Sequence, residues 1–253
     1  MKHENVCGGF VWNELMTTDV KAARDFYAGL FGWKWKTENM GAFEYHMAHL
    51  GDKPIAGLMQ TPEEKRPSQW LSYVSVDDVD ARTRRAVALG GREIVPPRDI
   101  PQIGRFSVIL DPQGACIAPF RGVQEAKAPE GRAAPGDFTW YELVTRDPEG
   151  AKKFYPEIFG WGLERYTRPE TDYWMFRVGE KTVAGVWPMP AGADYPPHWL
   201  AYIAVADCDA AARKAVQLGG KLLKGPEDIP EIGRFAVLAD STGGVFAIFK
   251  SKS

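Results

Sequence analysis

The chain contains one sequence pattern twice along its length. The segment FVWNEL at Phe10–Leu15 recurs as FTWYEL at Phe138–Leu143, and IGRF at Ile103–Phe106 recurs at Ile232–Phe235. The two recurrences are offset by 128 and 129 residues, so the copies differ by one loop residue. A repeat over the whole length constrains the fold strongly, because both copies must form the same structure. The sequence therefore predicts two copies of one domain.

The boundary between the copies is predicted from composition. Residues 123–136 contain Pro129, Gly131, Pro135 and several alanines, and they lack apolar periodicity. Such a segment is typical of a linker. We expect a first domain over 1–122, a linker over 123–136 and a second domain over 137–253. The extra loop residue of the second copy corresponds to a position between Pro62 and Trp70.

Composition and charge exclude several functional classes. At 253 residues, with 45% hydrophobic and 25% charged residues, the chain is typical of a globular protein with two domains. A net charge of −2 does not favour nucleic acid or anionic membranes as partners. No apolar run is long enough for a membrane span, and the first residues lack a signal-peptide core, so we expect a cytoplasmic protein. Cys7, Cys116 and Cys208 do not match between the copies, which argues against a disulfide framework.

A weaker repeat lies inside each copy. Asp19 precedes a helical pattern that ends near Gly32, and the same order restarts at Asp78 and ends near Gly91. In the second copy the corresponding pairs are Asp147 with Gly160 and Asp207 with Gly220. Aspartate is typical of a helix N-cap, and glycine of a left-handed helix end. The sequence therefore predicts an α+β fold in which a strand, a helix and three strands recur four times.

Three motifs carry a resemblance to a known family. They are Asp19 with Phe26-Tyr27 and Phe31-Gly32-Trp33, the copy Asp147 with Phe154-Tyr155 and Phe159-Gly160-Trp161, and the turn Asp111-Pro112-Gln113-Gly114. With them, nearly the whole chain resembles the vicinal oxygen chelate superfamily of glyoxalases, bleomycin resistance proteins and extradiol dioxygenases, in its tandem bacterial form. The resemblance implies two glyoxalase-like domains. In each, a curled mixed sheet with helices outside forms a cup for a small ligand or a divalent metal.

The resemblance also gives the positions where a metal would bind, seven residues before each helix-start aspartate and seven after each later turn. These positions hold Trp12, Met59, Leu71 and Ala118 in the first copy, and Trp140, Trp187, Leu200 and Ala247 in the second. None is a hard donor of the kind that divalent cations need. We therefore expect no metal and no other cofactor. A relocated metal site near Glu14 or Glu142 stays open as an alternative, although the four histidines do not match between the copies.

Alternation along the strands predicts which residues line each cup, since every second residue shares a face. The candidate ligand-binding residues are Phe10, Trp12, Leu71, Tyr73, Arg105, Ala118 and Phe120, with Phe138, Trp140, Leu200, Tyr202, Arg234, Ala247 and Phe249 in the second copy. An apolar, aromatic lining with few polar groups is typical of a small-molecule pocket. Tyr27 and Tyr155, within helical stripes, are predicted core residues.

Glu14 and Glu142 are the acids predicted to face the cups, and they are the candidate catalytic residues. A buried carboxylate needs a partner, and we expect Arg105 and Arg234 in that role. Each pair is interpreted either as a structural ion pair, or as a general base or hydrogen-bond acceptor for a ligand.

The sequence favours a glyoxalase-like, metal-independent protein, monomeric or homodimeric, that binds a small, partly apolar molecule. The alternatives are a glyoxalase-type lyase or isomerase with Glu14 or Glu142 as base, an enzyme with a relocated metal site, and an interaction protein whose cups are filled by their own side chains.

Overall fold

The computed structural model describes residues 7–41, 43–61, 67–124, 132–168 and 171–252. The first half contains β1 (Phe10–Thr17), α1 (Val20–Phe31), β2 (Lys34–Asn39), β3 (Glu44–Leu50), β4 (Lys53–Gln60), β5 (Gln69–Ser75), α2 (Val79–Ala88), β6 (Arg92–Ile100), β7 (Gly104–Leu110) and β8 (Cys116–Gly122). The second half contains β9 (Phe138–Thr145), α3 (Pro148–Phe159), β10 (Gly162–Arg168), β11 (Thr171–Val178), β12 (Lys181–Pro188), β13 (His198–Ala204), α4 (Cys208–Gln217), β14 (Lys221–Ile229), β15 (Gly233–Ala239) and β16 (Val245–Ser251). A strand, a helix and three strands therefore occur four times.

The strands form two mixed sheets of eight strands, one in each half. Their orders are β2-β3-β4-β1-β5-β8-β7-β6 and β10-β11-β12-β9-β13-β16-β15-β14. Within each sheet the first strand of a module pairs in parallel with its last, as in β1 with β4, and the other pairings within a module are antiparallel. The α+β class and the two tandem domains are thus confirmed. The linker segment 125–131 and most of the loop between Pro62 and Trp70 lie outside the described residues.

Helix starts agree with the predicted caps. The carboxylates of Asp19, Asp78, Asp147 and Asp207 each accept a hydrogen bond from the backbone N–H three residues later. This bond satisfies one of the free N–H groups of the first helical turn. Among the described residues, no helix has the length and apolar character needed to cross a membrane.

Helix ends agree with the prediction only for α1 and α3. Gly32 and Gly160 have left-handed φ angles of 74° and 68°. Gly91 and Gly220 were predicted to end α2 and α4 in the same way, and this is wrong. The left-handed residues are Gly90 and Gly219, both at φ 88°. Gly91 instead lies close to a neighbouring strand, where a β-carbon would come within 2.8 Å of the Leu110 carbonyl oxygen.

The chain forms two compact units, and each combines one module from either half. The first compact unit comprises the described residues within 1–11, 72–130 and 141–199, and the second comprises those within 12–71, 131–140 and 200–253. The core of the first unit packs α2 against α3, and the core of the second packs α1 against α4. Sheets therefore stay within a half, whereas each hydrophobic core takes a helix from both halves.

A buried tyrosine lies at the centre of each core, as predicted for Tyr27 and Tyr155. The Tyr155 hydroxyl donates to Asp111 Oδ2 at 2.8 Å and accepts from Trp199 Nε1 at 3.0 Å. In the second unit, Tyr27 donates to Asp240 Oδ2 at 2.8 Å. Both tyrosines are fully buried, so each hydroxyl satisfies a polar group that has no access to water.

Candidate functional site

Glu14 lies on the middle of β1, on the face opposite the helices. Its neighbour Leu15 is fully buried in the core beside α1, and successive strand residues point to opposite faces. Glu14 itself is only 9% exposed. A carboxylate with so little access to water requires hydrogen-bond donors from the protein.

The Tyr45 phenol on β3 donates a hydrogen bond to Glu14. The same hydroxyl accepts a hydrogen bond of 2.9 Å from Trp12 Nε1, which lies on the Glu14 face of β1. Strand β4 lies between β1 and β3, and Gly57 is the β4 residue directly opposite Glu14. We call Trp12, Glu14, Tyr45 and Gly57 the first-copy site.

The electrostatics of this site keep the phenol protonated. Burial raises the pKa of Tyr45 far above its ordinary value, and the nearby negative charge of Glu14 raises it further. Tyr45 is therefore a hydrogen-bond donor at every physiological pH. A carboxylate that accepts such a bond is stabilised in its ionised form. The Glu14 carboxylate of the first-copy site is thus suited to accept hydrogen bonds.

The second half builds the same arrangement. The Tyr173 hydroxyl on β11 donates to Glu142 Oε1 on β9 at 2.8 Å. Gly185 on β12 lies opposite Glu142, as Gly57 lies opposite Glu14. The ring centroid of Trp187 is 6.0 Å from that of Tyr173. We call Glu142, Tyr173, Gly185 and Trp187 the second-copy site; Trp140 lies two residues before Glu142 on β9, half-buried.

The arginines expected beside the glutamates have other partners. Arg105 donates from Nε and Nη2 to Asp80 at 2.7 and 2.9 Å, and from Nη1 to Asp99 at 3.0 Å. Arg234 binds Asp209 and Asp228 in the same way. The predicted ion pairs with Glu14 and Glu142 are replaced by these pairs, because each arginine lies within reach of an aspartate in the first turn of a helix and of another on the facing strand.

Phe10 and Phe138, predicted to line the cups, contribute to the cores instead. Phe10 stacks on Tyr141 with ring centroids 3.7 Å apart and lies 5.6 Å from Trp199. Phe138 packs 5.6 Å from Trp70 in the second unit. Both begin their strands, and the alternation that holds further along the strand does not govern where these first side chains pack.

The other predicted lining residues form aromatic groups within each unit. Tyr73 packs 6.0 Å from Phe106 and 6.1 Å from Phe120, and Tyr202 packs 6.4 Å from Phe235. Ala118 lies opposite Tyr73, Ala247 lies opposite Tyr202, and Phe249 lies opposite Phe235. Leu71 and Leu200 are buried.

Comparison with known proteins identifies the family. Residues 9–118 and 137–248 both match the model of the Glyoxalase/Bleomycin resistance protein/Dioxygenase superfamily. The chain belongs to this superfamily. The chain is 37% identical over 250 residues to "Putative glyoxylase CFP32" of Mycobacterium bovis, covering 94% of this chain and 93% of the relative. It is 36% identical over 262 residues to "Anthracycline biosynthesis protein DnrV" of Streptomyces peucetius, covering 95% and 92%.

Solved structures confirm the fold at low sequence identity. The Mn(II)-bound glyoxalase of Novosphingobium aromaticivorans superposes with a TM-score of 0.65 at 14% identity, covering 97% of this chain and 82% of that one. The 2,2',3-trihydroxybiphenyl 1,2-dioxygenase of Sphingomonas wittichii gives a TM-score of 0.63 at 13% identity, covering 96% and 90%. Both neighbours share the fold of this chain, and the Novosphingobium glyoxalase holds Mn(II).

The residues at the superfamily's metal positions do not fit such an ion here. Trp12, Leu71 and Ala118 offer no donor, and Met59 offers a thioether, which hard divalent cations disfavour. Within the residues that the structure describes, no three His, Cys, Asp or Glu side chains group closely enough to hold a metal. His46 Nδ1 instead lies 2.8 Å from Thr37 Oγ1 on the strand beside β3.

Sequence reasoning missed both tyrosines and both glycines of these sites. The duplication could have found them, since Tyr45 recurs as Tyr173 and Gly57 as Gly185 at the offset of 128 that relates Glu14 to Glu142. Neither lies in the motifs that carried the resemblance to the superfamily.

Proposed function

We propose that each half binds a small, partly apolar organic molecule on the sheet face that carries Glu14 or Glu142. The glutamate accepts a hydrogen bond from a hydroxyl or N–H group of the ligand, and the neighbouring indole ring contacts its apolar part. The observation that carries the proposal is the glutamate–tyrosine hydrogen bond, which both halves form with the same residues on corresponding strands. The proposal needs no metal. We further propose that the protein is bacterial and cytoplasmic, and that it is a monomer or a homodimer.

The arrangement favours binding over proton transfer. A general base must take up a proton from the substrate and later release it. Its pKa should therefore lie near the working pH. The Tyr45 phenol donates a hydrogen bond to Glu14, an arrangement that suits a fixed hydrogen-bond acceptor better than a residue that cycles between two protonation states. The relatives named for anthracycline biosynthesis support the ligand class, because anthracyclines combine flat apolar rings with hydroxyl groups.

Native mass spectrometry of protein purified without added metal tests the proposal, followed by titration with a dihydroxyanthraquinone as probe. We expect up to two bound molecules per chain. Glu14→Gln and Glu142→Gln should each remove one of them, with little change in melting temperature. Glu149→Gln changes a highly exposed helix glutamate and is the matched control. Unchanged stoichiometry in both glutamine variants would contradict the proposal, and a large loss of stability would favour a structural role for the glutamates.

A second candidate is a glyoxalase-type isomerase or lyase with Glu14 or Glu142 as base, which the name of the mycobacterial relatives favours. The assay is turnover of a 2-oxoaldehyde with a low-molecular-mass thiol. This candidate requires kcat to fall at least about a hundredfold in one glutamine variant, the usual contribution of a general base. Absence of turnover in the unsubstituted protein would leave the binding proposal as the better one.

A further inference from the structure

Glu14 and Tyr45 do not belong to adjacent strands. Strand β4 separates β1 from β3, and neighbouring strands lie about 4.8 Å apart, so the two backbones are about 10 Å apart. Met47, Gly57 and Glu14 form one row across the three strands, and Tyr45 shares the face of Met47 two residues away. The Tyr45 side chain must therefore cross β4 to reach Glu14.

The crossing point is Gly57. A β-carbon placed on Gly57 would overlap the hydroxyl oxygen of Tyr45 and contact its ring. In the second half, a β-carbon on Gly185 would overlap the hydroxyl of Tyr173 in the same way. Neither glycine has a positive φ angle, so the backbone conformation at these positions does not itself require glycine. Both positions are buried.

We infer that Gly57 and Gly185 are positioning residues, whose missing side chains let Tyr45 and Tyr173 cross the intervening strand and hold the two glutamates. The inference rests on the proposed function and deepens it, because it names what keeps the acceptor carboxylates oriented. A methyl group at either position forces the phenol away from its glutamate, since the hydroxyl is the mobile end of the side chain and the strand backbone is not.

The test reads the glutamates directly and needs no ligand. The carboxyl signals of selectively ¹³C-labelled glutamates are followed by NMR during a pH titration, and Glu14→Gln and Glu142→Gln assign the two signals. In Gly57→Ala we expect the Glu14 midpoint to rise by about one pH unit, a tenfold change in proton affinity, while Glu142 stays unchanged. Gly185→Ala should give the mirror result.

Two further variants control the test. Gly162→Ala adds a methyl group where the nearest atoms are 3.9 Å away and φ is not positive, so neither midpoint should move. In the Tyr45→Leu background, Gly57→Ala should have no additional effect, because the ring it displaces is already gone.

Each outcome decides the inference. An unchanged Glu14 midpoint in folded Gly57→Ala would overturn it, and so would a failure of both Gly57→Ala and Gly57→Ala/Tyr45→Leu to fold, since the glycine would then serve the backbone. If Gly57→Ala fails to fold and the double variant folds, the collision with Tyr45 is supported. If the midpoints shift as expected and the anthraquinone probe binds independently of Glu14, the inference stands and the proposed function fails.

Discussion

The first modules of the two halves share the residues of the glutamate–tyrosine arrangement and differ at a pair on the opposite sheet face. On the face that carries the glutamates, Trp12, Glu14, Tyr45 and Gly57 all recur 128 residues later. On the helix-facing side, the pair Arg24 and His46 is replaced by Lys152 and Trp174. The helix-facing pair therefore differs between the halves, whereas the residues of the glutamate–tyrosine arrangement are the same in both.

The two helix-facing solutions place a cation beside different rings. Lys152 Nζ lies 4.0 Å from the ring centroid of Trp174, a favourable cation–π contact. Arg24 Nη1 lies 3.4 Å from His46 Nδ1, and Arg24 also lies 5.9 Å from the ring of Trp35. The indole ring attracts the neighbouring positive charge, whereas burial and the charge of Arg24 lower the pKa of the His46 imidazole. The first half therefore has a titratable side chain at this position, and the second half does not.

The largest expected effect tests whether the halves are as independent as their matching sequences suggest. Because each core contains a helix from both halves, fragments 1–124 and 132–253 should each lose most of their stability when expressed alone. Thermal unfolding followed by near-UV circular dichroism should show no cooperative transition for either fragment, and mixing the fragments should restore one.

The control for this experiment is the intact chain with a protease site inserted at position 127. After cleavage, the unseparated halves should melt within a few degrees of the uncut protein, since the cores remain assembled. A single fragment that is monomeric and melts cooperatively would show that the halves fold independently, with the boundaries expected from the sequence.

The next effect compares the two core tyrosines. Tyr155→Phe leaves Asp111 without its phenol donor and Trp199 without its acceptor, and Tyr27→Phe does the same to Asp240 and Trp70. Two buried polar groups lose a partner in each case, so we expect a loss of roughly 2–4 kcal/mol of unfolding free energy in urea. Tyr195→Phe, at a 41% exposed position, should change little. A loss confined to one variant would contradict the equivalence of the two cores.

A smaller effect follows from the His46 and Trp174 difference. Burial lowers the pKa of His46, and the charge of Arg24 lowers it further, more than Glu44 raises it. His46 is therefore harder to protonate in the folded protein than in the unfolded chain, where the ordinary pKa is 6.5. Its stabilising contribution is complete above pH 6.5 and is lost as the pH falls towards the lowered value.

Urea unfolding between pH 7.5 and 5.5 measures this contribution. The slope from one histidine is at most about 1.4 kcal/mol per pH unit. His46→Gln should remove its part of the slope, and His198→Gln should remove a further part, because burial also lowers the pKa of His198. His198→Gln is the matched variant. An unchanged slope in His46→Gln would mean that Arg24 and burial do not keep this ring neutral.

Local signals predicted much of this molecule, and long-range contacts account for the errors. The capping aspartates and the buried tyrosines depend on residues within a few positions, so pattern and period were sufficient. The partners of Arg105 were not predictable in this way, because Asp80 and Asp99 lie on a helix and a facing strand. Tyr45 was missed because the position of its side chain relative to Glu14 depends on the pairing of β3 with β4. The register of that pairing shifts between Ala48 and His49. The exchange of helices between the halves leaves no trace in the sequence, since both halves carry the same apolar pattern.

The smallest expected effect concerns metal, where the two copies differ at Met59 and Trp187 but should behave alike. Neither a thioether nor an indole supplies a hard donor for a divalent cation. Elemental analysis of tag-free protein should give clearly substoichiometric zinc, nickel, iron and manganese. Prolonged dialysis against a chelator should leave the melting temperature within about 1 °C, because a ligand that does not bind the folded state cannot stabilise it. About one equivalent of a metal that survives dialysis, lost in Glu14→Gln but retained in Glu142→Gln, would instead locate a relocated metal site in the first copy alone and break the equivalence of the two halves.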